Sequence, residues 1–221
     1  MALKLACLHA HESNIGYIQG IAPRGFILEH YVDPGLLARI GRDPGFARDG
    51  AGDRVLEQLE WMAAAGADVI LITCTNYIAL LDDSRLPAGL PAVLKIDEPF
   101  FEEVCRIRQP QLLLFSNPAT VEGTMARLQA YAEASSCTTP DVRAEVVPEL
   151  FSLIMAGRKK DYEDAVTAHL IRKAESDPRL AVSVAQLSMA GAAERAGLET
   201  GRQIGDPLRP LARALEMLAA T

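Results

Sequence analysis

A cysteine at the end of an apolar run is the residue best placed to do chemistry in this sequence. Cys74 closes "ADVILIT" and is followed by Thr75 and Asn76. An apolar stretch of that length reads as a buried strand, so the thiol stands where strand gives way to polar residues. "TNYIALL" reads as a helix start, and a helix N-terminus favours a thiolate through its dipole and unpaired N–H groups. Such a sulfur can act as a nucleophile or as an acid/base, although buried cysteine also serves as plain packing. Cys7 falls inside a strand, Cys105 within a helical pattern and Cys137 in a Ser/Thr-rich loop, where packing is explanation enough. Widely scattered cysteines without a C-x-x-C pair predict free thiols and no structural zinc site.

"HAHES", His9 to Ser13, is the second candidate. H-x-H at a strand end is a familiar metal-ligand pair, with Glu12 as a third donor, and it would suit a metal-dependent hydrolase using His9 and His11. Only His30 and His169 remain to complete such a site, His169 lies mid-helix, and the chain is short for a metal-dependent (β/α)8 barrel. The expectation is therefore no metal, with a histidine, His9 first, facing the ligand. Neutral, it would hydrogen-bond substrate; protonated, it would attract a carboxylate.

These groups need elements to hold them. "LKLACL", "FILEHYV", "DVILIT" and "PAVLKI" read as strands, and "DRVLEQLEWMAAAG" as a helix whose Val55, Leu59 and Met62 share a face and whose Gly66 ends it. "DEPFFEEVCRIR" carries Pro99 in the first turn of a further helix. The second half repeats the alternation: "QLLLF", "RAEVVP" and "LAVSVAQ" as strands, with helices over "ATVEGTMARLQAYAEA", "DYEDAVTAHLIRKAES" and "DPLRPLARALEMLAA". Strands separated by helices predict an α/β fold with parallel sheets.

Overlaying the halves aligns the strand from Leu3 with the one from Gln111, and the strand before Cys74 with the one before Ser188. The expected organisation is two similar Rossmann- or flavodoxin-like lobes related by a pseudo-two-fold axis: residues 1–105 with 206–221, and residues 106–205. Ligands of such folds sit at the carboxyl ends of the strands, which would gather His9 to Asn14, Thr73 to Asn76, Asn117 to Thr120 and Gln186 to Met189 about one cleft. Within these stretches His9, Ser13, Asn14, Thr75, Asn76, Asn117, Thr120 and Gln186 are the candidate ligand-binding residues.

Composition narrows the classes. The chain of 221 residues is 49% hydrophobic and 23% charged, as in ordinary globular proteins. A net charge of −7 gives no basic footprint for nucleic acid or an anionic membrane. No apolar run approaches the roughly 18 residues of a membrane span, and the start "MALKLACLHAHES" is short and polar for a signal peptide, so a cytoplasmic location is expected. A homo-oligomer is compatible with the sequence.

Four segments, taken in order, resemble the aspartate/glutamate/hydantoin racemase superfamily. "ADVILITCTN" is similar to its first cysteine motif, an apolar strand and then Cys-Asn-Thr. "LLLFSNPATVEGTMARL" resembles the central strand, turn and helix, "LAVSVAQLSMAG" falls where the second cysteine motif lies, and "IGDPLRPLARAL" is similar to the closing segment. The resemblance implies a cofactor-independent racemase, isomerase or decarboxylase acting beside a carboxylate of a small amino acid or dicarboxylate. Cys74 matches the first catalytic cysteine; Asn117 and Thr120 match the polar residues of the central turn. Thr75 and Asn76 match the pair after the cysteine in exchanged order.

Ser188 stands where the second cysteine would be. A hydroxyl without a neighbouring base cannot hold an anion near neutral pH. What remains is chemistry for one thiol, as in the related arylmalonate decarboxylases and maleate isomerases. A helix N-cap is the plain alternative for Ser188, and a carboxylate-binding protein without turnover is the alternative function.

Overall fold

The computed structural model describes residues 2–137, 141–147 and 149–220, with backbone only for residues 48 and 49. Contacts divide the chain into two units, residues 1–98 with 212–221 and residues 99–211.

The first unit contains β1 (Leu3–His9), α1 (Asn14–Ile21), β2 (Phe26–Val32), α2 (Pro34–Ile40), α3 (Pro44–Asp49), α4 (Ala51–Ala64), β3 (Val69–Ile72), α5 (Thr75–Ala79) and β4 (Ala92–Lys95). Its strands form one parallel sheet in the order β2-β1-β3-β4. β1 and β3 occupy the middle, and Leu5 to Leu8 and Val69 to Ile72 are accordingly buried. α4 buries Ala51, Val55, Leu59 and Met62 along one stripe. Gly66 follows it at φ +86°, a left-handed turn that a side chain would resist. α2 and α3 were absent from the expected elements, yet each opens on an aspartate followed by proline. Asp33 accepts from the Leu36 N–H and Asp43 from the Phe46 N–H, which satisfies an orphan donor of each first turn.

The second unit holds α6 (Glu98–Arg106, opening at the boundary), β5 (Gln111–Phe115), α7 (Val121–Ala134), β6 (Val142–Val146), α8 (Leu150–Met155), α9 (Lys159–Ser176), β7 (Ala181–Val184) and α10 (Ala190–Thr200). α11 (Leu208–Ala219) closes the chain. The parallel sheet runs β6-β5-β7, which repeats the β2-β1-β3 order of the first unit with no counterpart of β4 among the described residues. Pro148, the last residue of the expected "RAEVVP" strand, lies outside the described residues. One face of β5 packs with Val166, Leu170, Ala192 and Ala196 of α9 and α10, the other with Phe101, Val104 and Leu128 of α6 and α7.

Gly205 lies against the free edge of β7 in an isolated parallel bridge with Ser183. A Cβ built there would stand 2.9 Å from the Ser183 Cβ, which is anchored to the strand and cannot swing away. Gly205→Ala should therefore destabilise the protein by about 1–3 kcal/mol through overpacking. Denaturant unfolding checks this; a neutral result would mean the bridge is loose.

Candidate functional site

In the first unit the residues at the carboxyl ends of β1 and β3 form a hydrogen-bonded set. The Thr73 hydroxyl donates to the Leu8 carbonyl at 3.1 Å, meets His9 Nδ1 at 2.8 Å and accepts from Asn14 Nδ2 at 3.3 Å. His9 is fully buried, and its Nε2 lies 2.9 Å from Nδ1 of His30 on β2. Burial, reinforced by the neighbouring His30, lowers the His9 pKa to about 4, so the imidazole is neutral. His9 thus has partners for both ring nitrogens inside the fold. His11 is the exposed histidine, with its Nδ1 2.9 Å from the Ser13 hydroxyl. The H-x-H pair is not assembled as a metal site. β1 ends at His9, so His11 lies past the strand in the following turn and does not continue its alternation, and the cluster that forms is Cys7, His9 and His30.

Cys74 follows Thr73 directly and occupies the N-cap position of α5 in extended conformation, half-buried, with Thr75 and Asn76 partly exposed in the first turn. Burial pushes its thiol up, and the Tyr77 and Asn76 N–H groups pull back only part of that. The sulfur makes no cap hydrogen bond of full geometry. The sequence expectation that the helix terminus would favour a thiolate is thus reversed: in so short a helix, desolvation outweighs the dipole. Tyr77 beneath it is buried and donates to the Asp33 carbonyl.

The second unit carries a comparable set at the ends of β5 and β7. Gln186 Oε1 accepts from the Ser116 N–H at 2.7 Å, the Ser116 hydroxyl at 2.8 Å and the Asn117 N–H at 3.0 Å. Tyr162, reaching from α9, donates to Ser116 Oγ at 3.0 Å and lies 2.9 Å from Ser188 Oγ. Burial raises the Tyr162 pKa in spite of those two hydroxyls, so the phenol stays neutral. Asn117 uses its Oδ1 to cap the 3-10 turn Pro118–Thr120, and the Thr120 hydroxyl donates to the Asn117 carbonyl.

Ser188 is not a helix N-cap. It sits within the 3-10 turn Leu187–Met189, and Met189 precedes α10. The structure therefore gathers His9, Asn14 and Thr73 in one unit and Asn117, Gln186 and Ser188 in the other. Thr73 was expected at the strand end; Tyr162, Ser116 and His30 belong to these sets and were not anticipated. Tyr162 had a signal, as the sole aromatic of a long polar helix, but nothing in sequence ties it to Ser188.

Neither a family model nor a curated protein matches this sequence. Solved structures do match. Aspartate racemase from Picrophilus torridus gives a TM-score of 0.69 at 13% identity, over 99% of this chain and 94% of that one. Allantoin racemase from Klebsiella pneumoniae gives 0.63 at 16% identity, over 99% and 88%. Glutamate racemase from Aquifex pyrophilus gives 0.56 at 17% identity, over 98% and 84%. The chain has the α/β fold of these racemases.

Two outcomes follow. Tyr162→Phe leaves two hydroxyls without their shared partner and should cost about 1–3 kcal/mol in denaturant unfolding; an unchanged midpoint would show that the link is not formed in solution. Because burial raises its pKa, Cys74 should react with iodoacetamide more slowly at neutral pH than an exposed cysteine, accelerating as pH rises past the ordinary thiol range. Peptide mapping of the alkylation rate against pH tests this, and a plateau already reached below pH 7 would contradict it.

Proposed function

We propose that this protein is a racemase-, isomerase- or decarboxylase-type enzyme acting without a cofactor at the carbon next to a carboxylate of a small amino acid or dicarboxylate, with Cys74 as its acid/base or nucleophile. The observation that carries this is a half-buried thiol at the carboxyl end of a central strand, on a fold shared with aspartate, allantoin and glutamate racemases.

A thiol that rests protonated delivers a proton first. When a C–CO2 bond in a malonate breaks, CO2 leaves and the electron pair passes into the remaining carboxylate as an enolate. Cys74 then gives its proton to the carbon, leaving a thiolate that solvent reprotonates. A Cα–H bond breaks only after Cys74 has lost its own proton to solvent, so that the sulfur takes the Cα proton. Donors beside the carboxylate stabilise the developing charge. Ser13, Asn14, Thr75, Asn76, Asn117 and Thr120 are the groups assigned to this, with His9 and Gln186 as the residues that hold them in place.

Ser188 is assigned a hydrogen bond to substrate rather than a base. Its partner is a neutral phenol, so nothing in that pair accepts a proton at neutral pH. This favours one-thiol chemistry, protonation after decarboxylation or isomerisation, over racemisation with a base on each face. The same observation supports the second reading, a carboxylate-binding protein without turnover.

An assay in D2O with small amino acids, dicarboxylates and malonates separates these. Deuterium should enter at the carbon beside the carboxylate in the wild type and not in Cys74→Ala. Ser188→Ala should lower the rate by about 10²-fold or less, the loss of one stabilising donor. Turnover that survives Cys74→Ala would overturn the assignment, and binding of a carboxylate without exchange would select the second reading.

A further inference from the structure

We propose that Cys7, His9 and His30 form a binding site for zinc, separate from the chemistry assigned to Cys74. The sheet register builds it. Cys7 is paired directly with His30 across β1 and β2, and His9, two residues further along β1, shares the face of Cys7. One ligand atom from each of the three residues lies within 4.8 Å of the others. Zinc with bonds of about 2.0–2.3 Å to nitrogen and sulfur sets its ligands roughly 3–4 Å apart, so small ring and thiol rotations close the set.

The hydrogen bonds prepare His9 for this role. Because the Thr73 hydroxyl donates to the Leu8 carbonyl, its lone pair takes the proton on His9 Nδ1. That tautomer, assigned from the network, leaves Nε2 as a lone pair aimed at His30. A metal-binding histidine is characteristically oriented through its other ring nitrogen in the same way. His30 shows that the network is incomplete: its Nε2 is buried with no hydrogen-bond partner. His30 Nε2 can therefore take the proton that Nδ1, the nitrogen facing His9, gives up when it binds the metal. A thiol and two neutral imidazoles form a set suited to zinc and not to magnesium or calcium.

The exchange balances without redox change. The Cys7 S–H bond is replaced by S–Zn, one proton leaves to solvent, and both imidazoles bind neutral, each retaining one N–H. The His9–His30 hydrogen bond gives way to two Zn–N bonds. Three protein ligands leave the fourth position to water. The consequence is a tie between β1 and β2 at the end of the sheet that carries Thr73 and Cys74.

The test uses full-length protein stripped with a chelator and titrated with zinc, then with cobalt(II) as a spectroscopic stand-in. The expected result is one equivalent of zinc bound, one proton released, a raised melting temperature and a thiolate-to-cobalt charge-transfer band. Cys7→Ser should remove the band, and Cys7→Ser and His30→Gln should each weaken zinc binding at least about tenfold, no less than loss of an outer-shell partner costs. His11→Ala should change neither. Circular dichroism confirms folding; should Cys7→Ser not fold, His30→Gln at its partly exposed position decides. Absence of stoichiometric zinc binding by the wild type would overturn the proposal, as would binding lost in His11→Ala but kept in a folded Cys7→Ser or His30→Gln.

Discussion

Where a central parallel strand stops, the last backbone groups and the polar side chains beside them must still find partners although their flanks are buried. Both units meet this constraint with one polar side chain at the end of the third strand that ties back to the first. In the first unit Thr73 bridges to the Leu8 carbonyl and His9. In the second, Gln186 gathers the Ser116 N–H and hydroxyl and the Asn117 N–H. Each such hydrogen bond contributes only about 1 kcal/mol net, but leaving its buried donors unpaired would cost more. The bridges fix where each strand ends, and the residue assigned chemistry follows directly or two positions later.

That arrangement explains the state of both groups. Cys74 is held in a short helix cap whose N–H groups cannot offset desolvation, so its sulfur rests as a thiol. Ser188 is anchored by a phenol from α9, and α9 owes its position to Val166, Leu170 and Ala174 packed under the sheet. Packing thus reaches the candidate chemistry through a single hydroxyl. The two strand ends are topological equivalents with opposite capabilities: one carries a group that can give a proton at neutral pH, the other a group that can only hydrogen-bond.

Much of the fold was legible because its signals are local. The apolar runs of β1, β3, β5 and β7 and the stripe of α4 follow directly from burial on a parallel sheet. The repeat of strands and helices along the two halves could be read from the spacing of those runs, whereas the order of strands within each sheet could not. The short helices α2 and α3 went unread although their Asp-Pro openings announce them. Side-chain partners were a different matter. His9 and His11 look like a pair in sequence, but one is buried between Thr73 and His30 and the other is exposed beside Ser13. The meeting of Cys7 with His30, or of Tyr162 with Ser188, depends on tertiary register, for which neither spacing nor residue type gives a rule. The sign of the Cys74 shift was misjudged for the same reason: a helix start is visible in sequence, and the depth of the sulfur is not.

The role of Cys74 is tested most directly by a crystal structure with malonate, a dicarboxylate that presents a carbon beside a carboxylate. This carbon should lie within hydrogen-bond reach of Cys74 Sγ, about 3–4 Å, with a carboxylate held by the amide and hydroxyl groups that follow β1 and β3. Malonate bound instead in the groove of the second unit lined by Phe100, Val104, Ile107, Ser183 and Gly205, with Cys74 untouched, would contradict it.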